Sequence, residues 1–482
     1  MPARPTETPA MFEVDLDPVA LEPYEQLLGP ARMAKLRAGV GRLAGRTIWN
    51  INSTAAGGGV AELLSSLIPL ARALGVDVRW LVVDGDPAFF ALTKRLCSTI
   101  YGSAGDGGPL GPDERAHYRR VTDDNAAQLQ MWVDPGDVVV VHDPQPAGLI
   151  RRARELGATV IWRSHIGSDQ PNSHTEAGWA FLRPFVMEAD ATVFLTEGHA
   201  QHWTPDTHVI PPSIDPCAPK NMALTARQAV DILGVAGVLG GSASAEITVP
   251  APLGPAITVR HAATVLRVGP PPPPDVPMVV QVSRWDRLKD MDGVLEAFMQ
   301  AGAGHCHLTL AGPAVDSVAD DPEAAGAYEL SRSRWAALAP DDRRRVQLLC
   351  LPVTDRRENA LVVNALQRHA TVVVQKSLAE GFGLTAAEAM WKARPIVASA
   401  VGGLREQVVD GVTGLAVADP RDLPATAAAV RRLLDDPGFA QKLGAGARQL
   451  VVDRFLPDRH LLEWAATLEK ILTKGSHDAQ TG

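Results

Sequence analysis

RTIWNINSTAAGGGVAELLSSLIPLARALGVDVRWLVVDG, residues 46–85, decides the fold. RTIWNIN reads as a strand, STAAGGG as a turn, VAELLSSLIPLARALG as an amphipathic helix and VDVRWLVVDG as the next strand. Strand, helix and strand in that order make one βαβ unit. Strands of this kind fit a parallel sheet covered on both faces, and such sheets gather ligands at the carboxyl ends of their strands.

Further along the chain the same pattern repeats. DVVVVHD (137–143), ATVIWRSH (158–165) and ATVFLTE (191–197) are apolar almost throughout and end in polar residues. A first domain, residues 1–225, closes with THVIPPSIDP. Residues 231–275 turn to Gly, Ala, Ser and Pro, as in GVLGGSASAE and GPPPPPD, and read as an irregular insertion and linker. A second α/β series then runs from VPMVVQVSRWDRLKD through TVVVQKS to GLAVADP, giving a second domain over 226–459. The final stretch, 460–482, reads as one more helix.

Composition narrows the function classes. The chain has 482 residues, too many for one ordinary core, with 46% hydrophobic and 21% charged residues, as a soluble globular protein has. The formal net charge is -9 and no Lys/Arg stripe appears, so neither nucleic acid nor an anionic membrane is an expected partner. Cys97, Cys217, Cys306 and Cys350 lie far apart and form no CxxC, which argues against a zinc knuckle or a disulfide framework. The opening MPARPTETPAMFEVDLD lacks a basic stretch followed by an apolar core, so neither a signal peptide nor an anchor is expected, and the cytoplasm is the expected compartment.

The candidate chemistry lies at the strand ends. Gly57, Gly58 and Gly59 stand between a strand and a helix, where bare backbone amides can approach an anion or a sugar. The turn is neither G-x-G-x-x-G nor a P-loop. Arg284 and Lys289 follow the strand MVVQV, and two cations five residues apart can straddle a diphosphate. In QKSLAEGFGLTAAEAMWK the amides of Gly383, Leu384 and Thr385 open a helix suited to a phosphate. Glu380 and Glu388 flank that loop as acceptors for sugar hydroxyls and a ribose diol. In the first domain His142 and Asp143 end one strand, and Arg163, His165 and Asp169 end the next. Asp143 and His165 are the site candidates there. No HExxH and no DxD accompanied by ligand-spaced histidines appears, so no metal ligands are assigned.

SRWDRLK and EGFGLTAAE together resemble the retaining GT-B glycosyltransferases of family 4, whose E-x7-E pattern Glu380 and Glu388 match. INSTAAGGGVAELL, VVVHDPQPAGL and WRSHIGSD resemble more narrowly the trehalose glycosyltransferring synthases. The resemblance runs from about residue 46 to the last helix. It implies two Rossmann-like domains facing across a cleft, an acceptor side in 1–225 and a nucleotide-sugar side in 226–459, with the helix 460–482 crossing back to the first.

By that resemblance the reaction joins a nucleoside-diphosphate glucose to free glucose, reversibly, to give trehalose with retention. Arg284 and Lys289 would hold the donor diphosphate, Glu388 the ribose and Glu380 the transferred glucose. Gly58 and Gly59 would approach the donor, His165 would touch its glucose, and Asp143 would orient hydroxyls near the reacting carbon. The base would lie at Pro352 in CLPVTD. No tightly bound cofactor is implied: ADP- or UDP-glucose is a substrate, the chemistry is metal-independent with Mg²⁺ at most a rate enhancer, and a homodimer is the favoured assembly. The segment 236–270 departs from the family, being weakly charged where relatives carry arginine-bearing text.

Rival readings make different demands. A retaining trehalose phosphorylase would use the same cations for inorganic phosphate and is the nearest alternative. A non-catalytic sugar-nucleotide-binding protein is more remote. A glycosidase needs two carboxylates flanking the anomeric carbon, whereas Glu380 and Glu388 sit with phosphate-binding groups. An epimerase or dehydrogenase would show the dinucleotide turn that the first βαβ unit lacks.

Overall fold

The computed structural model describes residues 11–241, 244–315 and 322–481. Residues 1–10, part of the opening read as leaderless, lie outside the described residues, as do Ser242 and Ala243 of the expected insertion and Gly482 of the stretch expected as the last helix. The chain forms two compact units, Met1–Ser213 with Pro457–Gly482, and Ile214–Leu456.

The first unit is built on a seven-stranded sheet: β1 (Phe12–Glu13), β2 (Thr47–Asn52), β3 (Asp77–Val82), β4 (Val138–His142), β5 (Thr159–Arg163), β6 (Ala191–Phe194) and β7 (Thr207–Val209). Their spatial order is β1-β3-β2-β4-β5-β6-β7, with every pairing parallel except the short β1 on β3. The five residues of β4 are all buried, as a strand sandwiched between helical layers must be. The helix Gly58–Ala73 lays Leu63, Leu64, Leu67, Ile68 and Leu70 against the sheet. On the other face Trp49, Tyr118, Trp162, Trp179 and Phe181 belong to one core, with Tyr118 edge-on to Phe181 and Trp162 edge-on to Trp179.

In the second unit the helix Ala226–Val235 is followed by a small hairpin, β8 (Ile247–Val249) and β9 (Ile257–Val259). Its main sheet holds β10 (Thr264–Leu266), β11 (Met278–Val282), β12 (His307–Pro313), β13 (Val346–Leu351), β14 (Val372–Gln375), β15 (Ile396–Ser399) and β16 (Leu415–Val417). The order is β10-β13-β12-β11-β14-β15-β16, parallel throughout except for β10. Two parallel-sheet α/β units of Rossmann type, as expected, are therefore present.

Three expectations about boundaries are corrected. The segment 231–275 is not irregular: it holds the end of the helix Ala226–Val235, the hairpin β8–β9, and β10, which pairs antiparallel with the distant β13. The first unit ends at Ser213 and not at 225. Residues 214–225 are claimed by the second unit, where the Asn364 amide donates to the carbonyls of Pro219 and Met222 and the Trp391 indole to that of Asn221. The last helix spans Pro457–Thr481, starting before 460, and Asp458 in its first turn accepts from Nε and one Nη of Arg32, each at 2.7 Å.

Both sheets contain a strand whose successors lie on opposite sides, β2 between β3 and β4, and β11 between β12 and β14. The crevice beyond the carboxyl ends at such a reversal is where open α/β sheets bind ligands.

Candidate active site

At the reversal in the second unit an amide spans the gap. Gln281, fully buried on β11, donates to the carbonyl of Lys289 at 2.7 Å and accepts the Lys376 backbone N–H at 3.0 Å. The loop after β11 is thereby tied to the loop after β14, and Leu378 N–H adds a 2.7 Å bond to the Leu288 carbonyl. Below them the Lys376 ammonium, 3% exposed, closes on the Asp290 carboxylate. Asp290 has φ +48° and begins the helix Met291–Ala301, and burial pushes its carboxyl up despite the lysine.

This scaffold aims Lys289 at Glu380. The ammonium meets Glu380 Oε2 at 2.6 Å, with side chains 15% and 11% exposed, and Ser377 Oγ donates to the same oxygen at 3.0 Å. Gly383, at φ +89°, then starts the helix Leu384–Trp391 with no capping side chain, so the first amides of that helix, at Leu384 and Thr385, receive no side-chain acceptor. The preceding loop turns its carbonyls the other way: Gly381 accepts from Gly403 N–H and Phe382 from the Gln407 amide at 2.5 Å. A cation from the loop after β11 thus meets a carboxylate and helix-start amides from the loop after β14, an arrangement suited to an anion linked to a polyol.

Three candidates of this unit sit apart from that cluster. Arg284 is 60% exposed and donates to Asp286 at 3.0 Å. Glu388 is 3% exposed and faces the Lys220 ammonium at 3.5 Å, a partner the sequence did not suggest. Pro352 follows β13, which lies on the far side of β12 from β11, and its carbonyl accepts from Asn359 at 2.8 Å. Gly402 and Gly403, unnoticed in the sequence, lie directly under the 380–383 loop: a Cβ on Gly402 would stand 1.8 Å from the Glu380 carbonyl oxygen.

In the first unit Gly57 and Gly58, at φ +76° and +80°, carry the chain from the turn into the helix Gly58–Ala73, which also lacks a capping side chain. Gly59 lies in its first turn. Asp143 and His165 meet directly, the Asp143 carboxylate accepting the His165 backbone N–H at 2.6 Å. Asp143 itself has φ +64°, a strained conformation for a residue with a side chain.

The electrostatics here are dominated by burial. Arg163, 1% exposed, has no carboxylate hydrogen-bonded to it among the described residues; it donates to Ile210 O and to His460 Nε2, each at 3.3 Å, and lies over the Trp464 ring. Desolvation and then Arg459 push its pKa down to about 9, so it stays charged at neutral pH. His142 and His165 are held well below the ordinary imidazole value, first by burial and then by Arg163. Desolvation lifts Asp143 to about 7, against the lowering effect of its hydrogen bond and of Arg163.

The Asp143 shift has a sign that can be measured. Between its ordinary 3.8 and about 7 the folded state keeps a proton that the unfolded state releases, so this carboxyl's contribution to stability falls as pH rises through that window and levels above it. Asp143→Asn retains an acceptor for the His165 N–H and removes the buried charge. Its unfolding free energy relative to wild type is expected to rise between pH 5 and pH 8 by on the order of 2–3 kcal/mol, read from urea midpoints. The histidines titrate alike in both proteins and cancel. A pH-independent difference overturns the assignment.

Among the described residues no three His, Cys, Asp or Glu side chains converge as metal ligands, and no helix is long and apolar enough to cross a membrane.

Comparison with known proteins adds to this geometry. Residues 50–201 match the family described as trehalose synthase, N-terminal domain, and residues 351–450 match glycosyl transferases group 1. The trehalose synthase of Rubrobacter xylanophilus is 34% identical over 94% of this chain and 97% of its own. The trehalose phosphorylase of Pleurotus pulmonarius is 25% identical, over 83% of this chain but 54% of its own. Among solved structures, the α,α-trehalose 6-phosphate synthase of Burkholderia multivorans superposes with a TM-score of 0.64 at 18% identity, covering 89% of this chain and 99% of that one.

Proposed function

The chain belongs to the trehalose synthase family of GT-B glycosyltransferases, and from that membership we propose that it transfers glucose from a nucleoside-diphosphate glucose to free glucose, forming trehalose reversibly and with retention. The observation that carries the donor half of this reading is the Lys289–Glu380 pair at the start of the helix Leu384–Trp391. Lys289 and the amides of Leu384 and Thr385 take the diphosphate, and Glu380 takes hydroxyls of the transferred glucose. Arg284 leaves Asp286 to join the diphosphate. Glu388 exchanges Lys220 for the ribose diol, and the base lies towards Pro352. In the first unit Gly58 and Gly59 approach the donor, while Asp143 and His165 hold sugar hydroxyls.

In the chemical step the bond from the anomeric carbon to the β-phosphate oxygen breaks, and the acceptor hydroxyl bonds to that carbon on the same face. The hydroxyl proton passes to the departing phosphate oxygen. Lys289 and the helix amides stabilise the negative charge that builds there, where prepositioned donors lower the barrier most. No resident cofactor enters the scheme, and Mg²⁺ acts at most as a rate enhancer.

Incubating trehalose with ADP, UDP and inorganic phosphate in parallel tests the proposal. A nucleoside-diphosphate glucose is expected from at least one nucleotide, and the better nucleotide names the base. Glucose 1-phosphate from the phosphate arm alone would instead make the protein a phosphorylase.

A further inference from the structure

The two imidazoles at the reversal in the first unit are joined in a chain that begins on β2. Asn50, 7% exposed, presents Oδ1 to His142 Nε2 at 2.9 Å, and His142 Nδ1 lies 2.9 Å from His165 Nε2. The ring centroids of His142 and His165 are 5.2 Å apart and their planes within 23° of parallel. With nitrogens in contact at 2.9 Å, that centroid spacing places both rings edge to edge, the geometry of an in-plane hydrogen bond.

Direction follows from what each group can donate. The Asn50 Nδ2 points at the Arg79 carbonyl, 3.4 Å away, which leaves Oδ1 for His142. A carboxamide oxygen only accepts, so His142 Nε2 carries a proton. The nearby charged Arg163 and the burial of both rings favour neutral imidazoles with one N–H each. His142 Nδ1 is then bare and accepts from His165 Nε2–H, and His165 Nδ1 is bare in turn.

We propose that Asn50 and His142 are positioning residues that fix His165 as its Nε2–H tautomer, so that His165 can engage a substrate only as an acceptor, taking a hydrogen bond from a sugar hydroxyl at Nδ1. The sugar rests on the function proposed above; the tautomer does not. A nitrogen so fixed cannot deliver a proton to a leaving group without the whole chain reversing, which assigns His165 to orientation and leaves proton transfer to the substrates themselves.

The test is a long-range ¹H–¹⁵N spectrum of the full chain labelled at histidine, assigned with His165→Asn and His142→Gln. Wild type is expected to show His142 and His165 each protonated at Nε2 and bare at Nδ1. Asn50→Leu removes the acceptor that starts the chain, and its His165 signal should move towards mixed tautomers while kcat/KM falls about tenfold. Asn50→Asp restores an acceptor and should return the Nε2–H signature and bring kcat/KM to within about threefold of wild type. A wild-type His165 protonated at Nδ1, or at both nitrogens near neutral pH, overturns the proposal. So does an Asn50→Leu protein, folded by its thermal transition, with unchanged spectrum and kinetics. If Asn50→Leu does not fold, the wild-type spectrum decides alone. Because the spectrum needs no substrate, an enzyme found to use another sugar or donor would sink the proposed function and leave the relay standing.

Discussion

Lys289→Ala is expected to lower kcat/KM by about 10²–10³-fold, the usual cost of removing one prepositioned donor from developing charge. The thermal midpoint should change little. The lysine holds its loop through its backbone, whose carbonyl takes the Gln281 amide, while the ammonium pairs with Glu380. Truncation therefore removes the charge and leaves the scaffold of Gln281, Lys376 and Asp290 standing. Glu380 keeps its hydrogen bond from Ser377 and 11% exposure to water, so it is not stranded as a buried unpaired charge. Steady-state kinetics with saturating acceptor, beside a melting curve, separate the two effects. Near-normal turnover in a folded Lys289→Ala protein removes the diphosphate assignment.

The second large effect is expected from a residue with no polar side chain. Gly402→Ala places a Cβ 1.8 Å from the Glu380 carbonyl oxygen and 2.9 Å from its carbonyl carbon, at a φ of +48°. Both obstacles are backbone, so no rotamer change relieves them, and Gly403 below Phe382 closes the alternative route with a Cβ position 2.6 Å from Phe382 Cα. The 380–383 loop must shift and take Glu380 away from Lys289. Strain and overpacking of this kind cost about 2–4 kcal/mol, and a displacement near 1 Å at a reacting centre costs about 10²-fold in rate. Gly411→Ala is the control: its φ is +71°, but nothing lies within 4 Å of the added Cβ. It should lose about 1 kcal/mol and no activity. Equal behaviour of the two variants would mean that the loop is not held where it matters.

The parallel strands were legible because burial on both faces writes itself as an unbroken apolar run, as in VVVVH of β4. β8, β9 and β10 were not, since three residues give no period to read and β10 finds its partner Cys350 far along the chain from Thr264. Lys289 and Glu380 stood out as charges just past buried strands. Asn50 and Gln281 left a fainter mark, as carboxamides inside the runs WNIN and VVQV, where a buried carboxamide must have partners. Most of those partners, His142 and Arg79 for Asn50 and Lys376 for Gln281, are adjacent in space and distant in sequence, which composition and spacing do not reveal. Gly402 gave no sign, because its contact with Glu380 depends on two loops meeting.

The chain leaves the first unit at Ser213 and returns to it at Pro457. In synthesis, therefore, the sheet of that unit is made before residues 214–456, yet His460 and Trp464, which cover Arg163, come only after them. Until then the nascent chain carries the sheet with an unsealed flank, and its sealing waits on the synthesis of everything encoded between. A stop codon shortly before position 457 would spare the second unit's sequence and cripple the first.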